Sequence, residues 1–458
     1  MINNSDTICA IATAEGSAAI AVIRLSGDDA INIASKVFVS ANKNKILTNL
    51  KANTIHFGTI SFENEIVDEV LVSIFKSPHS YTGENSVEIS CHGSNYIQHR
   101  VLEILIKNGA RIAKPGEFTM RAFLNGKMDL SQAEGVADII ASTSEASRKI
   151  AFNQIRGGFS EDIKYLRSRL LNFISLIELE LDFSEEDVEF ADRKQLKTLV
   201  DEIKNFLEKL ISSFKYGNVI KNGIPVAIIG EPNVGKSTLL NALLNEDKAI
   251  VSEIAGTTRD SIEDVVNLKG TLFRFIDTAG LRDTEDIIEN LGIKKTYEKI
   301  SKAEIVLMLV DVNEKNISEK VNLLSAKLTS KNLVVVVNKI DQIKDKKEFE
   351  KTEHLKLISI SAKNKTNIEK LINLLIEVSG VEKINKNETV ITNLRHYEAL
   401  TKSYEAIERV EISLQNQISS DFLSIDIKEV LHYLGEISGQ ITNDEILGNI
   451  FKNFCIGK

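Results

Sequence analysis

The apolar positions of this chain change spacing along its length, and each change marks a different kind of structure. Over roughly the first 115 residues, short strand-like runs at 8–14, 18–25, 66–75 and 86–91 stand between helix-like stretches, predicting a compact α+β domain. From Glu161 the apolar residues recur at three and four. Ile163, Leu166, Leu170, Phe173, Ile174, Ile177 and Leu181 form one such series; Leu196, Leu199, Ile203, Phe206, Leu207, Leu210, Ile211 and Phe214 form another. Two long amphipathic helices are therefore predicted. Continuous apolar runs follow at 226–229, 272–276, 333–337 and 357–360, each ending in a polar or glycine-bearing motif. Beyond a polar stretch at 382–388 helical spacing resumes, and Thr442 with Glu445 makes a capping box ahead of Ile446, Leu447, Ile450, Phe451 and Phe454.

With 458 residues, and roughly 150 per domain, about three domains are expected. The pattern places them at 1–119, 120–217, 218–383 and 384–458. Because helical sequence flanks the third segment on both sides, it is expected to be an insertion into one helical domain made of the second and fourth. All four prolines lie at or before Pro232, which leaves the C-terminal helices uninterrupted. No apolar run approaches the ~18 residues that cross a bilayer, and MINNSD lacks a basic stretch followed by an apolar one, so a cytoplasmic protein is expected, with no membrane partner. Cys9, Cys91 and Cys455 offer neither a disulfide framework nor zinc spacing. The net charge of −9 argues against a broad nonspecific nucleic-acid binder.

The chemistry is concentrated in the third segment. GEPNVGKST at 230–238 stands between an apolar run and the helical pattern Leu239, Leu240, Leu243 and Leu244. Strand, glycine-bounded loop, Gly235-Lys236-Ser237 and helix converge backbone N–H groups on a phosphate, send a lysine to the terminal phosphates and a hydroxyl to Mg²⁺. Asp277-Thr278-Ala279-Gly280 suits a carboxylate near Mg²⁺ and an N–H facing the γ-phosphate. Asn338-Lys339-Ile340-Asp341 and Ser361-Ala362-Lys363 end the last two runs. A carboxylate such as Asp341 accepts two hydrogen bonds from the N1 and N2 edge of guanine, where adenine has no matching donors, so GTP is expected over ATP. Leu281 stands where a Ras-type glutamine would orient the attacking water, so another group must do so. Acidic residues in LRDTEDIIEN are the candidates, Glu289 before Asp286; each would otherwise be a solvated charge. Arg259 and Arg282 flank the same region, but each has an acidic neighbour to pair with.

Taken together, GEPNVGKST, the segment Ile254-Ala255-Gly256-Thr257-Thr258-Arg259-Asp260 and DTAGLRDTEDIIENLG closely resemble the MnmE (TrmE) family of tRNA-modification GTPases. SYTGENSVEISCHG at 80–93, KPGEFTMRAFLNGKMDLSQAE at 114–134, ELDFSEEDVEF at 180–190 and the terminal FCIGK carry the likeness through all the segments. The sequence departs from the family's Pro- and Gly-rich turn at 14–19.

The resemblance implies a multidomain α/β protein: an N-terminal folate-binding-type α+β domain, a central helical domain, and a Ras-like P-loop G domain inserted into it. It implies a homodimer joined through the N-terminal domain. With the flavoprotein MnmG, such a protein adds a carboxymethylaminomethyl-type group to C5 of the tRNA wobble uridine, with a folate one-carbon unit such as 5-formyltetrahydrofolate. Potassium-dependent pairing of G domains is implied too, with Asn233, Ser252, Ile254 and Thr257 on K⁺, Ser237 and Thr258 on Mg²⁺, and Glu289 orienting water. The GTP-binding set extends to Val234, Thr238, Glu253, Ala255 and Gly256. For folate the match points to Arg24, Glu88, Lys127 and Lys458, and Cys455 is implicated in modification without an assigned chemical role. Read alone, Arg24 could pair with Asp28 or Asp29, Glu88 could lie on a solvated strand face, and Lys127 follows a turn glycine. The alternative reading is an RNA- or ribosome-associated GTPase switch without substrate chemistry of its own.

Overall fold

In the computed structural model the described residues are 6–42, 45–63, 65–182, 192–244, 264–276, 301, 303–314, 332–342, 356–380, 389–416, 418–441, 444–452, 454 and 456–457. The chain divides into two compact units, one of residues 1–140, 154–191 and 427–458, the other of 141–153 and 192–426.

The first unit is built on a seven-stranded sheet of β1 (Ile8–Ile11), β2 (Ile20–Ser26), β3 (Phe38–Ser40), β4 (Thr54–Phe62), β5 (Glu65–Phe75), β6 (Ser86–His92) and β7 (Arg111–Ile112), in the order β3-β4-β5-β6-β2-β1-β7. Every pairing is antiparallel except β1 with β7. Helices α1 (Ala30–Val37) and α2 (Asn95–Lys107) bury one face, packing Ile33, Ala34, Val101, Ile104 and Leu105 on Ile23, Leu25, Val70, Val72, Ile74, Val87 and Ile89. The alternate residues face the other way: Ile20 is 63%, Ile55 67%, Phe57 52% and Leu71 46% exposed. The departure at 14–19 is an exposed bend, held by Ala18 N donating to Gly93 O at 3.0 Å and Gln98 Nε2 donating to Gly16 O at 3.2 Å.

Helices α3 (Glu117–Leu124), α4 (Leu130–Ala141) and α6 (Gly158–Asp182) follow, with α5 (Glu145–Ile155) between the last two. A reciprocal cap starts α4, Asp129 N donating to Gln132 Oε1 and Gln132 N to Asp129 Oδ1, both at 2.9 Å. Further along come α7 (Arg193–Asn222), α10 (Leu394–Gln415), α11 (Ser420–Ser438) and α12 (Asp444–Lys452). The two long periodic series of the sequence are thus α6 and α7. Thr442 of the expected capping box lies outside the described residues. In the first unit Leu447 and Phe451 of α12 pack on Met120, Leu130 and Ala133. Gly116, with φ +67° at the start of α3, lets them approach, since a Cβ there would lie 2.6 Å from Phe451 O.

The second unit carries a six-stranded sheet, β13-β12-β11-β8-β10-β9, built from β8 (Ile224–Ile229), β9 (Asp264–Leu268), β10 (Thr271–Phe275), β11 (Ile305–Asp311), β12 (Asn332–Asn338) and β13 (Lys356–Ser359). All its pairings are parallel except β9 with β10. Helices α8 (Lys236–Leu244) and α9 (Ile368–Ser379) cover one face, with Leu239, Leu243, Leu371 and Leu375 over Val226, Leu307 and Val336. Central strands buried on both faces explain the uninterrupted apolar runs. In the same unit α7 pairs with α10: Phe214 stacks on Tyr397 at 4.4 Å, and Lys204 Nζ meets Glu411 Oε2 at 2.7 Å.

Candidate functional site

Three loops at the carboxyl ends of β8, β12 and β13 converge in the second unit, where open parallel sheets bind ligands. After β8 the chain turns through Asn233 (φ +64°) and Gly235 (φ +98°) into α8. Lys236 Nζ arches back over the loop to donate to Gly230 O at 2.9 Å and Glu231 O at 2.8 Å. An ammonium and a helix N-terminus therefore lie side by side, a pairing that suits phosphate.

Asn338 ties the loops together. Its Nδ2 donates to Val234 O at 2.8 Å and its Oδ1 accepts from Ala362 N at 3.0 Å, so one buried side chain spaces the first loop from the third. Gly235 makes room for it, because a Cβ there would lie 2.3 Å from Asn338 Nδ2. Ser361 Oγ donates to Asp341 Oδ1 at 2.5 Å and accepts from Asn364 N at 3.2 Å, which aims the exposed carboxylate of Asp341. Lys339, also at positive φ (+67°), meets Asp311 Oδ2 at 2.8 Å. Burial opposes ionisation of Asp311, but the Lys339 ammonium and the amide of Asn313 outweigh it and hold this carboxyl below its ordinary range. A cavity of about 370 Å³ lies between Glu231, Asn233, Val234, Asp311, Asn313 and Lys339. Nothing in the sequence singled out Asp311; its one signal was its place at the end of an apolar run.

In the first unit the structure joins Arg24 and Glu88. They stand directly opposite on β2 and β6, and Arg24 Nε and Nη2 both donate to Glu88 Oε1, at 2.9 and 2.8 Å. The guanidinium also lies 5.3 Å from the Tyr81 ring centre and 5.7 Å from that of Phe118. The pairing with Asp28 or Asp29 considered for Arg24 is not what forms, because those residues lie past the end of β2 while Glu88 is its cross-strand neighbour. Burial pushes the Tyr81 phenol up from its ordinary pKa, and its hydroxyl bonds Thr119 Oγ1 at 2.8 Å. Lys127 is tied to the same loop as Tyr81, its Nζ donating to Pro78 O at 2.8 Å. At the far end of the chain Gly457 packs on β1, where a Cβ would lie 2.2 Å from Ile11 O. Ala10, the neighbour of Ile11, is the register partner of Arg24.

The same unit holds a charge cluster that sequence reasoning missed. Fully buried Arg121 donates to Asp6 Oδ1 (2.7 Å), Glu84 Oε1 (3.2 Å) and Glu117 Oε1 (3.1 Å), while Arg111 meets Asp6 at 2.6 Å and Glu117 at 2.7 Å. It locks the 80–84 loop to α3. The available signal was Glu117 and Arg121 at i and i+4.

Comparison with known proteins decides the family. A family profile described as the MnmE helical domain matches residues 130–455, and one described as the GTP-binding protein TrmE N-terminus matches residues 7–127. A Bacteroides thetaiotaomicron protein named tRNA modification GTPase MnmE is 55% identical over 468 residues, covering 99% of this chain and 100% of the relative. The chain belongs to the MnmE family. A Flavobacterium psychrophilum member of the same name is 55% identical over 459 residues, covering 99% of both chains. Among solved structures, Aquifex aeolicus Era bound to GDP.AlF4- is 25% identical, covering 40% of this chain and 66% of that chain, with a TM-score of 0.25.

As an MnmE family member the chain has the expected parts: a TrmE-type N-terminal domain, a helical domain, and a P-loop G domain within the span that the helical-domain profile covers. Of the expected site residues, Asn233 to Thr238, Asn338, Lys339, Asp341 and Ser361 to Lys363 share one end of one sheet, and Arg24 and Glu88 pair beside Lys127's loop. Ser252 to Thr258, Asp277 to Gly280, Glu289, Cys455 and Lys458 lie outside the described residues. No described helix is long and apolar enough to cross a membrane.

Proposed function

We propose that this chain is a GTP hydrolase acting in tRNA modification, the activity named in its MnmE relatives. The observation that carries the GTP reading is Asn338 bridging Val234 and Ala362, with Asp341 aimed by Ser361: the loops for phosphate and for a guanine edge are joined by one amide. Lys236 would exchange its bonds to Gly230 O and Glu231 O for phosphate oxygens. Ser237 and Thr258 would hold Mg²⁺; Asn233, Ser252, Ile254 and Thr257 would hold K⁺, which supplies the positive charge an arginine finger would otherwise bring. Glu289 would position the attacking water.

In this reading the product is a carboxymethylaminomethyl-type group on C5 of the tRNA wobble uridine, made with the flavoprotein MnmG in the cytoplasm. The one-carbon donor, 5-formyltetrahydrofolate or a related tetrahydrofolate, would sit at Arg24, Glu88, Lys127 and Lys458. Both Arg24 bonds fall on Glu88 Oε1, so Oε2 is not used by Arg24 and can take a pterin amine, with the half-buried Tyr81 ring beside it. The exposed sheet face with Ile20, Ile55, Phe57 and Leu71 supports a homodimer through the N-terminal domain. Domain limits of 1–119, 120–217, 218–383 and 384–458 go with this reading, Cys455 acting in the modification step.

The deciding experiment is nucleoside analysis of tRNA from cells lacking the protein. Loss of the wobble-uridine modification is expected; an unchanged nucleoside profile would reject the reading. A 5-formyltetrahydrofolate titration should saturate with the wild type and weaken at least tenfold for Glu88→Ala, and equal affinities would remove the folate assignment.

A further inference from the structure

The β9–β10 hairpin has two ends with different company. At one end, β9 begins four residues after Asp260, and β10 runs through Ile276 into Asp277-Thr278-Ala279-Gly280. Both segments carry residues that the sequence leads one to expect at the nucleotide. The opposite end is a tight turn, Leu268 paired with Thr271 across Lys269 and Gly270, both at positive φ (+51° and +87°).

Asn267, beside that turn, makes two hydrogen bonds of different kinds. Its Oδ1 accepts from Gly270 N at 2.9 Å, which closes the turn. Its Nδ2 donates to Thr143 O at 2.9 Å, outside the sheet altogether. Thr143 is firmly seated, because the next residue caps α5: Ser147 N donates to Ser144 Oγ at 3.1 Å, and Ser144 N to Ser147 Oγ at 3.2 Å. A Cβ on Gly270 would stand only 3.9 Å from that of Glu145, the first residue of α5. The tip is steadied from within the G domain as well, where Lys269 Nζ meets Glu369 Oε1 at 3.0 Å and Asn373 Oδ1 at 2.8 Å on α9.

The path of the chain gives this contact its meaning. Residues 141–153 belong to the same compact unit as the G domain, but the chain on either side, through Ile140 and from Gln154, belongs to the other. The hairpin tip therefore holds a short strip whose two ends both lead out of its unit.

We infer that Asn267 is a positioning residue that couples the nucleotide state of the G domain to helix α5. The inference rests on the proposed GTP reading and adds a named handle to it. Two paired strands of five residues each move as a stiff ribbon, so a displacement where they meet the nucleotide segments arrives at the tip. There the Asn267 amide passes it to the Thr143 carbonyl and the helix capped beside it. A turn held only by its own backbone would slide past.

Asn267→Asp isolates the coupling, since a carboxylate still accepts from Gly270 N but has no donor for Thr143 O. The full-length protein is compared with GDP and with a slowly hydrolysed GTP analogue by hydrogen exchange at the α5 amides. The wild type should show a nucleotide-dependent difference in protection, and Asn267→Asp should lose at least threefold of it while GTP turnover stays within twofold. In cells carrying only this variant, wobble-uridine modification should fall at least fivefold. A difference that survives in Asn267→Asp, one that is missing in the wild type, or a parallel fall in turnover would each overturn the inference. Should exchange respond as expected while tRNA from deletion cells is unaltered, the coupling stands and the tRNA reading falls.

Discussion

Removing the amide of Asn338 should loosen two loops at once. Asn338→Ala leaves Val234 O and Ala362 N without this partner, and an unpaired buried group costs about 1–3 kcal/mol. GTP affinity is expected to fall at least tenfold with the circular dichroism spectrum unchanged; wild-type affinity in a fluorescent-nucleotide titration would mean that the loops hold themselves. The Glu117 cluster makes a different prediction. Burial works to raise the Glu117 carboxyl, but hydrogen bonds from Arg111 and the Lys114 amide overcome it, so its pKa is lowered from 4.5. A group lowered on folding adds stability that is fully present above its unfolded pKa and is lost as pH falls through the folded one. Glu117→Gln should lower stability at pH 7 by about 3–5 kcal/mol, as expected when one partner leaves a buried pair, and should flatten the dependence of unfolding on pH below 4.5. Identical acid-unfolding curves for variant and wild type would contradict this. Cys9 and Cys91, which burial pushes up to about 12 and about 11, should resist alkylation at pH 8 in the folded protein.

Elements differ in how plainly they announce themselves. The runs that became β8 and β12 are apolar throughout because both faces are covered, and α6 and α7 keep one buried stripe for six or more turns; β11, equally apolar, was not read. Strand β4 was not read, since Ile55 and Phe57 point to the exposed face while Ile60 joins the core, and the alternation blurs. The Arg24–Glu88 pair was beyond any local pattern, because its partners are 64 residues apart and meet only through strand register. The GTP loops were legible because their residues are local to strand ends; the Asn338 bridge between them was not. At this scale Gly116 is a sharp test of how α12 is seated. Gly116→Ala would drive a Cβ toward Phe451 O, so limited proteolysis should release residues after 441 earlier than in the wild type while GTP turnover stays within twofold. An unchanged digestion course would show that α12 is held by Leu447 and Phe451 alone.

For the whole molecule, the proposed K⁺-dependent pairing predicts that turnover per chain rises with protein concentration and is higher in K⁺ than in Na⁺. Equal rates in the two salts would exclude a cation in the finger's place. Phe57→Asp, placing a charge on the exposed sheet face, should shift sedimentation toward single chains, and an unaltered profile would move the dimer contact elsewhere.

The pairing of α7 with α10 also sets an order of events during synthesis. About 170 residues, the whole G domain among them, separate the end of one helix from the start of the other. At roughly 5–20 residues per second, α7 waits on the order of 10–30 s for Tyr397 to reach Phe214. Until then the apolar stripe of a thirty-residue helix is without that cover, and a nascent chain stalled in that interval is the form on which a chaperone has most to grip.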